Sequence, residues 1–306
     1  MAGGLVVEQL LNGLQFGLML FLLSAGLTLV LGVMDVVNLA HGSLYMLGAY
    51  VAATVAGATG SFWAGVGAAV VATAAVGLVV EATVLRRVYP RDHLTQVLAT
   101  FALILVFNEG ARIVWGPQAL LLSVPPELSR PVAVLPNLTY SAYRLVVLGV
   151  GAGLAVLLFL VIHRTRLGMW VRAGASNRAM ARAMGVPIQQ VFAVVFALSA
   201  ALSAVAGALL GPILAVQVGM GEDILILAFV VIVIGGIGSV KGSLVGALLV
   251  GTVDTAGRAF LPPLFAQLMS PEAASNLGPA LASVLIYLLM AVVLFVRPQG
   301  LFPVRA

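Results

Sequence analysis

No cysteine occurs in the sequence, which excludes disulfides, thiolate metal sites and a cysteine nucleophile. Charge is nearly as scarce. Asp, Glu, Lys and Arg make up 8% of the 306 residues, where a soluble domain carries about 25%. Hydrophobic residues make up 62% and mean hydropathy is +1.17, the composition of an integral membrane protein. His41, His93 and His163 are the only histidines, far apart and without HExxH spacing, so no metal centre is expected. There is no G-x-S-x-G elbow. Gly238 to Ser243, GSVKGS, lacks the spacing of a phosphate-binding loop, and His41 and Ser43 would not face each other on a helix as base and nucleophile. The chain is therefore expected neither to be an enzyme nor to carry a cofactor. Its net charge of +5, from 15 Lys and Arg against 10 Asp and Glu, is concentrated in a few loops. That pattern bears on membrane orientation and gives no reason to expect nucleic acid as a partner.

What the sequence has in abundance is long apolar runs. They fall at about Leu10 to Met34, Val36 to Ala58, Phe62 to Leu85, Leu94 to Trp115, Leu145 to Ile162, Val191 to Val216, Ile224 to Ile237, Leu244 to Leu261 and Leu277 to Val296. Most reach the roughly 20 residues that span a bilayer as a helix, and none alternates as the strands of a barrel do. The expectation is one all-α domain over residues 1–306, a polytopic bundle of about eight or nine transmembrane helices with one or two broken or re-entrant segments. MAGGLVVEQL at the start lacks a basic region, so the first run reads as a retained membrane helix rather than a signal peptide.

Arginine sets the orientation. Arg86, Arg87 and Arg91 share one loop, Arg164, Arg166, Arg172, Arg178 and Arg182 another, and Arg297 and Arg305 close the chain. By the positive-inside rule these three regions are cytoplasmic. Gly116 to Tyr140, Gly219 to Asp223 and Pro262 to Asn276 then face outward. Nine full crossings put the N-terminus outside, whereas a re-entrant second segment leaves about eight and an internal N-terminus. Asp35, Asn38 and His41 interrupt the second run and favour the latter, because non-helical backbone at membrane depth is tolerated where it is buried in protein or lines a cavity.

His41-Gly42-Ser43-Leu44 recurs as Lys241-Gly242-Ser243-Leu244. The later copy follows Gly235 and Gly236 and the short run Ile224 to Ile237. Paired interrupted segments in two parts of a chain point to a central pathway in transporters. Asp35, Asn38, His41, Gly42, Ser43, Gly235, Gly236, Lys241, Gly242 and Ser243 are therefore the candidate pathway residues, with structural satisfaction of the breaks as the alternative. Among other ionisable residues, Asp254 and Arg258 read as an intrahelical pair, and Glu81 and Glu109 as groups reaching the interface.

The longest polar interval is His163 to Gln190. Within it Ser176 or Asn177 can cap a helix of about two to three turns, with Ala179, Met180, Ala183 and Met184 on one face and Arg178 and Arg182 on another. Gly185 and Pro187 end it. A helix this short is marginal in water, so its Met and Ala face fits either a groove on a partner or the membrane surface.

The run Gly26 to Gly32, GLTLVLG, followed by Asn38-Leu39-Ala40-His41-Gly42 and Tyr45 to Tyr50, YMLGAY, resembles the permeases of branched-chain amino-acid ABC importers. The likeness continues through Arg172 to Pro187 and Gly235 to Ser239 with Gly242, and ends at Arg297 to Phe302, RPQGLF. It covers nearly the whole chain in order, and is greatest to the shorter of the two permeases such importers contain. The resemblance implies a bacterial inner-membrane subunit paired with a second permease, two cytoplasmic ATPase subunits that use the ATP, and a periplasmic or extracellular solute-binding protein. It implies that Asn177, Arg178, Met180, Ala183, Met184 and Gly185 belong to the helix seated on the ATPase. Urea or short amides as solute, and an ion-driven carrier with Asp35, His41 and Glu109 as relay, remain as alternatives.

Overall fold

The computed structural model describes residues 2–135 and 138–303; Arg305 lies outside them. The apolar runs form helices α1 (Ala2–Met34), α2 (His41–Thr59), α3 (Phe62–Val80), α5 (His93–Trp115), α6 (Ala142–Arg164), α9 (Ile188–Leu210), α10 (Met220–Gly235), α11 (Val240–Phe265) and α12 (Pro271–Val296). A π-helical turn, Glu81–Leu85, carries α3 into the one-turn α4 (Arg86–Val88). The polar interval from His163 to Gln190 holds α7 (Arg166–Ser176) and α8 (Arg178–Ala183). A small antiparallel hairpin of β1 (Pro131–Leu135) and β2 (Leu138–Ser141) folds the outer loop before α6. Side-chain caps start several helices: Ser61 accepts from the Ala64 N–H, Asp92 from Thr95 and Ser239 from Gly242, each satisfying a donor the helix cannot.

Among the described residues seven helices are long and apolar enough to cross a membrane, which makes this a multi-pass α-helical membrane protein. Two further segments are composite. At Asp35 the chain turns back, runs without helix through Asn38, makes a turn at Leu39 and Ala40, and only then enters α2. His41 there bonds the carbonyl of Leu23, about 16 Å above Met34 at roughly 1.5 Å per residue, so α2 begins near mid-depth. α10, 16 residues long, likewise begins beside α2, where Gly221 abuts Gly42, and ends against Gly242.

The first helix runs opposite to the expected direction. Asn12 of α1 accepts from Tyr140 and Arg144 of the outer hairpin and α6, while Val33 lies beside Gly174 of α7. The amino end of α1 thus shares an end of the bundle with the Gly116 to Tyr140 loop, the end that the arginine pattern assigns to the outside, and the stretch after Asp35 with α2 returns the chain towards it. The break at Asp35 is real, but it does not reverse the topology. Gly219 to Asp223, expected as an outer loop, is instead the N-cap and first turn of α10, with Met220 and Gly221 buried and Asp223 exposed.

α1 forms the axis. It packs most extensively on α11 and next on α9, and small residues set the approach: a Cβ on Gly13 would lie 2.8 Å from the Thr252 Cα, and one on Gly17 2.8 Å from the Ala247 carbonyl oxygen. Close backbone approach of this kind is how membrane helices gain packing energy where lipid removes the hydrophobic drive between them.

Candidate functional site

Three places in the bundle are candidates: the two breaks, the polar loop from His163 to Gln190, and a cavity at the opposite end. At the first break Asp35 is exposed at the inner end with φ +51°, a left-handed conformation that aspartate tolerates better than most residues. Asn38 is buried; its Oδ1 accepts the Ala40 N–H at 3.1 Å and its carbonyl the His41 N–H, so it satisfies backbone that the break frees. His41 is fully buried, with Nε2 3.0 Å from the Leu23 carbonyl and 2.9 Å from Ser203 Oγ. A carbonyl only accepts, so the ring proton is on Nε2. Ser203 gives its own proton to the Ser199 carbonyl. His41 therefore ties α2 to α1 and α9.

The two similar tetrads act on the same helix. A Cβ on Gly42 would overlap the Gly221 carbonyl at the start of α10, and one on Gly242 the Gly235 carbonyl at its end. Ser43 is buried, and Ser243 Oγ meets Thr28 Oγ1 of α1 at 2.6 Å. Gly236 has φ +102° and faces the C-terminal segment, where the Leu301 and Phe302 N–H groups cap the Ile234 and Gly235 carbonyls, both at 2.9 Å. Lys241 is exposed at the inner end, over the Phe159 ring at 5.7 Å. Thr28 lies within the GLTLVLG run and Gly221 within the stretch expected as a loop, but the sequence gives no sign of their contacts, and Ser203 is a single small residue in an apolar run. Asp35, His41 and Glu109 do not converge: Asp35 is exposed, His41 bonds backbone, and Glu109 is an exposed partner of Arg112 at 3.0 Å.

In the polar loop Thr165 caps α7 and Asn177 caps α8, its Oδ1 2.9 Å from the Met180 N–H. α8 has six residues, fewer than two turns, shorter than expected. It stops in a Schellman turn: Gly185, φ +85°, bonds the Arg182 carbonyl and Val186 the Ala181 carbonyl, both at 3.0 Å. Ala181 is buried against the body. Met180 and Met184, 61% and 78% exposed, and Ala183 beside them face away uncovered. Arg178 stacks over Phe192 of α9 at 5.7 Å, and Phe192 meets Tyr89 edge-on at 5.4 Å. Tyr89 in turn bonds Glu81, a buried carboxylate paired with Arg86 at 2.9 Å. Burial and the Glu81 charge push the Tyr89 hydroxyl well above the usual tyrosine range. α8 is thus joined to the π-turn beneath α3 through the Arg178 cation over Phe192, the edge-on Phe192–Tyr89 pair and the Tyr89–Glu81 hydrogen bond.

At the outer end a cavity of about 780 Å³ opens between α1, α6, α10 and α11. The candidate pathway residues do not line it, but Tyr45, one turn beyond His41, does. Asp254 and Arg258, Oδ1 to Nε 2.8 Å, form the expected intrahelical pair on its wall.

The family of permease components of branched-chain amino-acid transport systems matches residues 9–294. The high-affinity branched-chain amino-acid permease BraD of Pseudomonas aeruginosa is 27% identical, over 96% of this chain and 95% of the relative. The corresponding LivH protein of Escherichia coli K12 is 28% identical, over 96% and 94%. A protein described as a probable LivH permease, from Methanocaldococcus jannaschii, is 27% identical over 78% and 76%. No solved structure matches the chain.

Proposed function

The chain belongs to the family of permease components of branched-chain amino-acid transport systems, and from that premise we propose that it is the membrane-spanning subunit of an ATP-driven importer of branched-chain or similar small amino acids. The observation that carries the proposal is the exposed Met180, Ala183 and Met184 surface of α8 on the cytoplasmic end, in a chain that matches the family from residue 9 to residue 294. An apolar knob of adaptable methionines is suited to a groove on a partner.

In this reading a second permease completes the core in the cytoplasmic (inner) membrane. Two cytoplasmic ATPase subunits bind and hydrolyse ATP, and an external solute-binding protein delivers the amino acid. ATP-driven closure of the ATPases moves α8. Its Asn177 cap and Gly185 turn keep it rigid, and the contacts of Arg178 over Phe192 and of Phe192 edge-on to Tyr89 carry the displacement to α9 and the inner end of α3. The close backbone contacts of α1 with α11 favour movement of helices as a body, rocking the bundle between outward and inward openings. The polar breaks at Asn38 to Ser43 and Gly235 to Ser243 lie where such a rearrangement passes.

The test is purification of the tagged chain from its native membranes with its companions, followed by reconstitution. Co-purification of an ATPase and a second permease, with ATP-dependent uptake of labelled leucine, isoleucine or valine, is the expected result. A chain that purifies alone and transports under an ion gradient without ATP would overturn the proposal.

A further inference from the structure

The outer cavity carries charge that the bundle does not neutralise. Four charged side chains line it: Arg144, Asp223, Asp254 and Arg258. Asp254 and Arg258 satisfy each other at 2.8 Å. Asp223, exposed in the first turn of α10, and Arg144, half-buried at the start of α6, form no ion pair among the described residues. Arg144 donates to the Asn12 side chain, a neutral group. Phe16, Leu210, Ile224 and Leu227 supply an apolar floor, and Tyr45, itself buried there, has a hydroxyl without a partner. Ionisable groups held within a membrane bundle are costly and mark sites. An unpaired carboxylate, an unpaired guanidinium and apolar surface in one space complement a small molecule with an ammonium, a carboxylate and a hydrocarbon side chain. The volume, about 780 Å³, falls in the range of roughly 300–1,000 Å³ usual for small-molecule sites.

We propose that this cavity is a binding site within the single permease chain for free zwitterionic, apolar α-amino acids, with Asp223 receiving the ammonium and Arg144 the carboxylate. The inference rests on the importer reading and adds to it a place where the solute pauses after delivery. Arg144 can bind the carboxylate through two parallel N–H groups, and Asp223 presents an acceptor to the ammonium. A phospholipid headgroup that pairs ammonium with phosphate offers similar chemistry, so the test separates the two sources.

The full chain with its co-purifying subunits is placed in nanodiscs of phosphatidylglycerol, without binding protein, and leucine contact is read by saturation-transfer NMR. The probes are leucine, leucinamide, which lacks the carboxylate, and 4-methylpentanoate, which lacks the ammonium. Asp223→Asn and Arg144→Gln are each expected to weaken leucine binding by about tenfold or more, the scale of a lost charge-assisted hydrogen bond. Asp223→Glu retains binding. Asp223→Asn leaves 4-methylpentanoate unaffected, and Arg144→Gln leaves leucinamide unaffected. That crossed pattern cannot arise from misfolding. Leucine binding equal in wild type and both neutral variants overturns the site, as does its displacement when phosphatidylethanolamine replaces phosphatidylglycerol, which makes a headgroup the occupant. Leucine uptake by the reconstituted wild-type complex is measured alongside. Uptake without cavity binding overturns the site and leaves the importer; absence of uptake overturns the importer reading itself.

Discussion

Gly42 and Gly221 touch backbone to backbone at the crossing of α2 and α10, and a Cβ on either would overlap the carbonyl of the other. Both helices begin there, at mid-depth, and leave in opposite directions. Because each neighbour is backbone rather than the tip of a flexible side chain, neither can yield without moving a helix. Gly42→Ala and Gly221→Ala should each destabilise by about 1–3 kcal/mol, the usual cost of overpacking, more than the roughly 1 kcal/mol that alanine gains in helix propensity. Gly57 on the same α2 has nothing within 4 Å of its added Cβ, so Gly57→Ala should be neutral or stabilising. Thermal unfolding of the detergent-solubilised variants checks this; equal melting of the Gly42 and Gly57 variants would contradict it.

The proposed coupling role of α8 is separable from membrane insertion. Ala183 is exposed beside Met180 and Met184, so Ala183→Asp should leave the membrane level unchanged and abolish uptake by placing a charge in an apolar contact. Asn177→Ala removes the α8 cap, a loss of about 1 kcal/mol, and should reduce uptake only partly. Wild-type uptake by Ala183→Asp at equal membrane level would remove α8 from the coupling role.

The helical bundle and most of its spans are legible in the sequence, because a continuous apolar run of about 20 residues has few other uses. Its first crossing is not. The positive-inside rule weighs Lys and Arg, and the segment before α1's apolar run has none, only Glu8. Direction is settled instead by the packing of α1 along α11 and by Asn12 against Arg144. The two tetrads at Gly42 and Gly242 stand out as a repeat, yet their shared task, holding the two ends of α10, depends on what approaches each glycine. The cavity has no sequence signature at all: Tyr45, Arg144, Asp223 and Asp254 come from four separate helices. Asn177 as a cap and Gly185 as a stop are readable because capping is local, within three residues.

The C-terminal segment is a structural part of α10. Gly300, φ +81°, lies so close to Gly236 that a Cβ would fall 2.6 Å from the Gly236 Cα. Gly300→Val combines that clash with backbone strain and should detach the Leu301 and Phe302 caps from α10. Each buried carbonyl left open costs about 1–3 kcal/mol, so a clear fall in melting temperature in detergent is expected. A variant ending at Val296 should match it. Wild-type melting in both would show that the caps contribute nothing.

His41 offers the sharpest distinction between a pin and a gate. Its Nε2 holds the Leu23 carbonyl and Ser203 Oγ, and an amide N–H can serve the same acceptors. His41→Gln should therefore keep much of the uptake, with a pH profile that overlays the wild type. His41→Phe keeps a ring but no donor, removes the hydrogen bonds that tie α2 to α1 and α9, and should destabilise by about 1 kcal/mol. Histidine acting as a titrating gate would impose a transition near neutral pH, and that transition would vanish in His41→Gln. Uptake by reconstituted wild type and His41→Gln across pH 5 to 8 decides the matter: overlaid profiles keep His41 as the pin of α2, and a transition present in the wild type alone makes it a proton-sensitive part of the pathway.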